Sequence, residues 1–178
     1  MTARLCVYIM ILRRAAYRAA SCREGFPIGT HEQLMRLALE AADKALHLGE
    51  VPIGAVLAKD QEVIAVGFNQ PIHTVDPTAH AELVAIRQAA KELGDYRLRG
   101  LTLYVTVEPC MMCIGAIVHA RVSTLVYGAA EPKFGAVESI LNLESIRVPH
   151  RLAVISGVLE HDCRKLMQDF FRYKRDPI

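Results

Sequence analysis

LTLYVTVEPCMMCIGAIVHA, residues 101–120, changes its period halfway along. Leu101–Val107 is a nearly continuous apolar run, the pattern of a strand buried on both faces. Pro109 then suits the first position of a helix, where its fixed φ is already helical and its missing N–H costs nothing. That helix is expected to reach about Ala120. A buried strand passing straight into a helix is the repeating unit of α/β architecture.

The neighbouring segments extend the pattern in both directions. Downstream, Thr124–Gly128 reads as a strand and Gly128–Ser139 as a loop containing Pro132 and Gly135. A short helix over Ser139–Glu144, a strand over Leu152–Leu159 and a helix over Glu160–Lys174 follow. Upstream, Thr30-His31-Glu32-Gln33 reads as a capping box opening a helix whose apolar residues, Leu34 to Leu48, keep helical spacing up to Gly49. Ile53–Ala58 and Glu62–Phe68, joined by Lys59-Asp60-Gln61, read as a hairpin. Pro71–Thr78 carries two prolines and reads as a loop. A helix runs from Thr78 to Leu93, ended by Gly94. The order predicts an α/β fold with helices on both faces of one sheet, antiparallel at its start and parallel from residue 78 onward.

Composition sets the bounds. The chain has 178 residues, 52% hydrophobic and 22% charged, enough for one core and too apolar for a disordered chain. Its longest unbroken apolar run, Leu5–Leu12, is too short to span a bilayer. Five cysteines, odd in number and unevenly spaced, argue against a disulfide framework. Charge is uneven as well. The first thirty residues hold five arginines against Glu24, so the rest is slightly acidic although the whole is +2. That arginine-rich start partly mimics a targeting leader, and residues 1–29 are expected to be an N-terminal extension, a leader or a poorly ordered arm, ahead of a functional domain at 30–178. Between 164 and 175, Arg164, Lys165, Arg172, Lys174 and Arg175 face only Asp169, either a solvated face or a basic contact surface.

Chemistry concentrates in His80-Ala81-Glu82 and Pro109-Cys110-Met111-Met112-Cys113. Cysteines three apart share one helix face, and a helix start favours thiolates. Alone, the pair fits a metal site, a redox pair or plain core. His80 also stands at a helix start, and in α/β folds such turns collect at the carboxyl ends of the strands. Brought together, one imidazole and two thiolates supply three ligands for a tetrahedral zinc ion, with a fourth position left to water. Glu82 is then the carboxylate placed to take and return protons. Cys6, Cys22 and Cys163 read as inert thiols.

His-x-Glu followed by Pro-Cys-x-x-Cys is the signature of the zinc nucleobase deaminases. Over about residues 31–175 the chain more closely resembles the bacterial-type tRNA-specific adenosine deaminases. The resemblance rests on Val51-Pro52-Ile53-Gly54-Ala55-Val56, Phe68-Asn69-Gln70-Pro71, Asp76-Pro77-Thr78-Ala79-His80-Ala81-Glu82, the 103–113 segment and Asp169-Phe170-Phe171-Arg172. It implies a three-layer cytidine-deaminase-like fold with a mixed five-stranded sheet, one zinc per subunit on His80, Cys110 and Cys113, and Glu82 as proton shuttle. It implies hydrolytic deamination of adenosine to inosine at the wobble position of tRNA, in a cytoplasmic homodimer that binds the anticodon loop without a membrane. Asn69 and the Ala81 N–H would meet the flipped adenosine, and Val51 and Ile53 would wall its pocket. Glu131 would stand near a ribose and Lys133 near phosphate, where family members often carry Asp for Glu131 and a smaller residue for Phe134. Phe171, Arg172 and Lys174 would close over the RNA. Two other readings share much of this sequence: a deaminase of a free base or nucleoside such as guanine or cytosine, and a non-catalytic zinc module, which would be expected to lack Glu82.

Overall fold

The computed structural model describes residues 31–60, 62–145 and 148–175. The expected extension at 1–29, the Thr30 cap, Cys6 and Cys22 lie outside the described residues. Helix α1, His31–His47, turns Leu34, Met35, Ala38, Ala41, Ala42 and Ala45 inward. Strand β1, Gly54–Lys59, and strand β2, Glu62–Phe68, form the expected hairpin. The short helix α2, Pro71–Thr74, precedes α3, Ala81–Leu93. Then come β3, Thr102–Val107; α4, Met111–His119; β4, Thr124–Ala129; β5, Ala153–Ile155; and α5, Glu160–Arg175.

The five strands make one mixed sheet in the order β2-β1-β3-β4-β5. β1 is antiparallel to both β2 and β3, while β3, β4 and β5 are mutually parallel. β1, β3 and β4 are buried almost throughout, so their apolar runs do not alternate. Two cores flank them. Ala55, Leu57, Leu103, Val105 and Leu125 pack with the inner faces of α3 and α4 on one side. Val56, Ala58, Tyr104 and Val126 pack with Leu34, Met35 and Ala38 of α1 and Cys163 of α5 on the other. The fold is therefore the three-layer α/β/α arrangement with a mixed five-stranded sheet that the sequence implies.

Strand direction places the site. β2 and β3 both oppose β1, so they point the same way, and β4 runs parallel to β3. The segments leaving β2, β3 and β4 consequently emerge at one end of the sheet. Helix α3 also lies unusually close to β2. A Cβ on Gly67 would strike the Ala81 carbonyl oxygen and stand 2.6 Å from the Ala85 nitrogen, so only glycine lets the start of α3 sit there.

Several local expectations are corrected. Pro71–Thr74 is helical rather than looped, because Pro71 takes a helix start. Helix α3 begins at Ala81 rather than Thr78, since the Thr78 N–H and hydroxyl both donate to Asp76 Oδ1 and hold 76–78 in a turn. Helix α4 begins at Met111 rather than Pro109, with Cys110 still extended. The final strand is only Ala153–Ile155, because Gly157 and Leu159 both take positive φ. In place of the helix expected over Ser139–Glu144 there is one 3₁₀ turn, Leu143–Ser145.

Candidate functional site

His80 and Cys110 occupy equivalent places in two strand-to-helix units. Each is the last extended residue before a helix, His80 at φ −70°, ψ 151° and Cys110 at φ −75°, ψ 173°. Neither side chain caps its own helix, so both point onward, toward one another. Cys113 is the third residue of α4, within its first turn, and is fully buried. This geometry answers how residues two apart can serve one centre. His80 lies outside the helix and Glu82 inside it, so the angle between helical side chains does not separate them.

The three ligand atoms make a nearly equilateral triangle. His80 Nδ1 lies 3.7 Å from Cys110 Sγ and 3.5 Å from Cys113 Sγ, and the two sulfurs are 3.6 Å apart. A tetrahedral ion bound at ordinary zinc–sulfur and zinc–nitrogen distances would need ligand separations of about 3.6–3.8 Å. The donor set therefore fits a tetrahedral metal without rearrangement. Among the described residues, no other group of three His, Cys, Asp or Glu side chains is gathered in this way.

Electrostatics agree with the geometry. Hydrogen bonds from Cys113 and then His80 hold the Cys110 thiol down to about 4, so a thiolate is already favoured there. The bond to Cys110, burial and the nearby Glu82 charge push the Cys113 proton the other way. His80 is raised, chiefly by its bond to Cys110. Two helix N-termini add positive potential to this anionic cluster. A divalent cation held by His80, Cys110 and Cys113 would take the place of the shared protons.

Glu82 is only 4% exposed. Burial raises its carboxyl above the usual range, and it interacts with Cys113, His80 and Cys110. A buried carboxyl beside a metal triangle, shifted toward neutral pH, is suited to exchanging protons. Next to it the structure ties together two expected substrate contacts. The Ala81 N–H, expected to meet the base, instead donates to Asn69 Oδ1 at 2.9 Å, and Asn69 is 5% exposed. With its carbonyl so occupied, Asn69 has its amide N–H2 to offer a substrate. Val51 and Ile53 are half-buried just before β1, and Ile53 accepts the Asn69 N–H.

A second feature opens at the same end of the sheet. A groove of about 410 Å³ is lined by Val107, Ala129, Glu131, Phe171 and Arg172, with Arg164 and Arg175 beside them. The structure thus brings Glu131, Phe171 and Arg172 to one surface, whereas Lys133 and Lys174 are exposed but do not line it. Lys174 instead lies over the Phe170 ring, and Glu131 Oε1 accepts the Lys133 N–H. Cys163 is buried against β4, its thiol pushed up to about 12 by burial, as suits an inert core residue.

Two buried acids escaped the sequence reading. Glu50 accepts the His73 N–H and pins α2. Glu108 accepts hydrogen bonds from Glu131, Val137, Glu138 and Ser139. The one available signal for Glu108 was a lone charge between an apolar strand and Pro109.

The MafB19-like deaminase family matches residues 29–175. A tRNA-specific adenosine deaminase from Haemophilus influenzae is 48% identical over 147 residues, spanning 82% of this chain and 85% of that protein. One from Bacillus subtilis is 46% identical over 145 residues, 81% of this chain and 90% of its own length. A solved structure from work on A-to-I editing by tRNA deaminases at the wobble position of transfer RNA superposes with a TM-score of 0.73 at 47% identity. It covers 75% of this chain and 98% of that one. A guanine deaminase from Nitrosomonas europaea superposes with a TM-score of 0.70 over 83% of this chain and 88% of that one. At 23% identity that likeness is one of fold alone.

Proposed function

The chain belongs to the MafB19-like deaminases and is a hydrolytic deaminase, and from that premise we propose that it converts adenosine to inosine at the wobble position of tRNA. The observation that carries the reading is the triangle of His80 Nδ1, Cys110 Sγ and Cys113 Sγ, all within 3.7 Å of one another, with buried Glu82 in contact. Relatives above 40% identity named as tRNA-specific adenosine deaminases supply the substrate. The non-catalytic alternative is disfavoured by Glu82, which a purely structural zinc module does not need.

The ion is proposed to be zinc, one per subunit, since two thiolates and an imidazole are its characteristic ligands. Bound there, zinc acts as a Lewis acid that makes a water molecule nucleophilic at neutral pH. Glu82 accepts the proton released by the attacking water and delivers it to the ring nitrogen beside C6. It then takes the proton of the new C6 hydroxyl and passes it to the amino group, so that the C–N bond breaks, ammonia leaves and the C6 carbonyl of inosine remains. Burial serves this cycle by raising the proton affinity of the Glu82 carboxylate above its ordinary value. Asn69 orients the base through its amide N–H2, held in place by the Ala81 N–H that binds its carbonyl. Val51 and Ile53 form apolar walls for the base. An anticodon nucleotide is single-stranded, so splaying it into the pocket costs little.

The groove beside α5 receives the flanking RNA. Phe171 offers a stacking face and Arg164, Arg172 and Arg175 offer phosphate contacts, while Lys133 and Lys174 add charge at the rim. Glu131 is placed to meet a ribose hydroxyl. The working form is proposed to be a cytoplasmic homodimer whose catalytic unit is residues 30–178. Among the described residues no helix is long and apolar enough to cross a membrane.

The test is to incubate the zinc-loaded protein with total tRNA and sequence for adenosine-to-inosine conversion, in parallel with guanine, cytosine and their nucleosides. Conversion confined to the wobble adenosine is expected. Turnover of a free base or nucleoside with untouched tRNA would establish the small-molecule alternative instead.

A further inference from the structure

Glu108 is the last residue before Pro109 and is 3% exposed. No step of the proposed chemistry uses it, yet it holds more hydrogen bonds than any catalytic side chain. Its Oε1 accepts the N–H groups of Val137, Glu138 and Ser139 at 3.0, 2.8 and 3.0 Å. Its Oε2 accepts the Glu131 N–H at 3.0 Å and the Ser139 hydroxyl. The loop is thus wound around one carboxylate. Gly135 completes the fit, since a Cβ there would collide with the Glu108 carboxyl group. Two backbone links run alongside. Ala136 N–H donates to the Pro109 carbonyl at 2.8 Å, and Gly135 pairs with Cys110 in an isolated bridge.

A surface loop that satisfies its backbone by turning four N–H groups onto a buried acid has given up the usual hydrogen bonding to water. The same loop carries Glu131, Lys133 and Phe134, the last of them 67% exposed. Its anchor stands two residues from a metal ligand on a rigid strand end. We propose that Glu108 is a positioning residue for the RNA: it fixes loop 131–139 relative to the metal centre, so that RNA contacts and reacting base are held in one frame. The RNA half of this inference rests on the function proposed above; the anchoring half does not.

Glu108→Gln is the direct test, because the amide keeps size and shape but turns an acceptor into a donor. Whichever way it faces, at least one loop backbone N–H meets an N–H2 group: Glu131 on one side, or Val137, Glu138 and Ser139 on the other. Amide hydrogen exchange at Glu131, Val137, Glu138 and Ser139 should quicken by about tenfold or more in E108Q. With an anticodon stem–loop, KM should rise by about tenfold while kcat stays within about twofold and zinc content is unchanged. A general loss of fold would lower kcat and zinc together, so this split separates positioning from structure. Gly135→Ala, which presses on the carboxylate from outside, should raise KM in the same way and serves if E108Q does not fold. Loop amides exchanging at the wild-type rate overturn the inference whatever the RNA assay gives. Loosened amides with an unchanged KM overturn its RNA half. A wild-type chain that forms no inosine overturns the reading of function, while exchange still decides the anchoring.

Discussion

Glu82 and Cys113 sit close together and should fail differently when altered. Glu82→Ala removes the proton carrier and leaves the ligand triangle intact, so bound zinc should remain stoichiometric while kcat falls by about 10²–10⁴-fold. Metal analysis beside single-turnover deamination checks this, and a Glu82→Ala protein with wild-type turnover would remove Glu82 from the mechanism. Cys113→Ser weakens one corner of the triangle and should lose both metal and activity, read by the same two assays. Gly67→Ala acts at a distance. Its new Cβ meets α3 backbone at Ala81 and Ala85, so helix and strand must separate, at a cost of about 1–3 kcal/mol in chemical denaturation. Because His80 rides on that helix start, zinc affinity should fall as well. The residue scale is also where sequence was most informative about chemistry. His80, Glu82, Cys110 and Cys113 stood out because metal ligands and their proton carrier keep fixed spacings. Asn69 holding Ala81, Glu50 holding His73 and Glu108 holding a loop did not. Each joins segments that only folding brings together, and no spacing encodes such a bond.

Helix α5 makes one edge of the groove proposed to receive RNA, and its basic residues both pair along the helix and face that groove. Lys165 pairs with Asp169 and Arg164 with Glu160 on their own helix, exposed i,i+4 contacts that solvent screens. Arg164, Arg172 and Arg175 line the groove, with Arg172 also reaching Asp169 at 3.6 Å. Substituting Arg172 and Arg175 together by alanine should raise KM for a stem–loop and flatten its dependence on salt, with kcat little changed. Titrating KM against ionic strength for both proteins checks it; parallel slopes would take these arginines out of phosphate contact. At this scale helices and strands are readable wherever the apolar pattern is clear, as in α1, β3 and α5. They were misread where side chains took over backbone hydrogen bonding. The Asp76 carboxylate keeps Thr78 out of α3, and Glu108 claims the N–H groups of Glu138 and Ser139 that a helix there would have left to its first turn.

At the scale of the molecule, the described residues within 31–175 supply a five-stranded sheet, two cores on its faces and the His80–Cys110–Cys113 triangle. A chain beginning at residue 30 should therefore bind one zinc and deaminate with an unchanged kcat, and loss of either property would assign residues 1–29 a part in the catalytic unit. The mixed sheet gives the reason the site forms where it does: β2, β3 and β4 point one way, so His80, Cys110 and the 131–139 loop are delivered to one edge from three separate segments. That convergence can be measured at the metal itself. X-ray absorption at the zinc edge of the loaded protein should show two sulfur neighbours at about 2.3 Å, one nitrogen at about 2.0–2.1 Å and one further light atom that exchanges with solvent. A third sulfur, a fourth side chain in place of the exchangeable atom, or no zinc bound at all would contradict it.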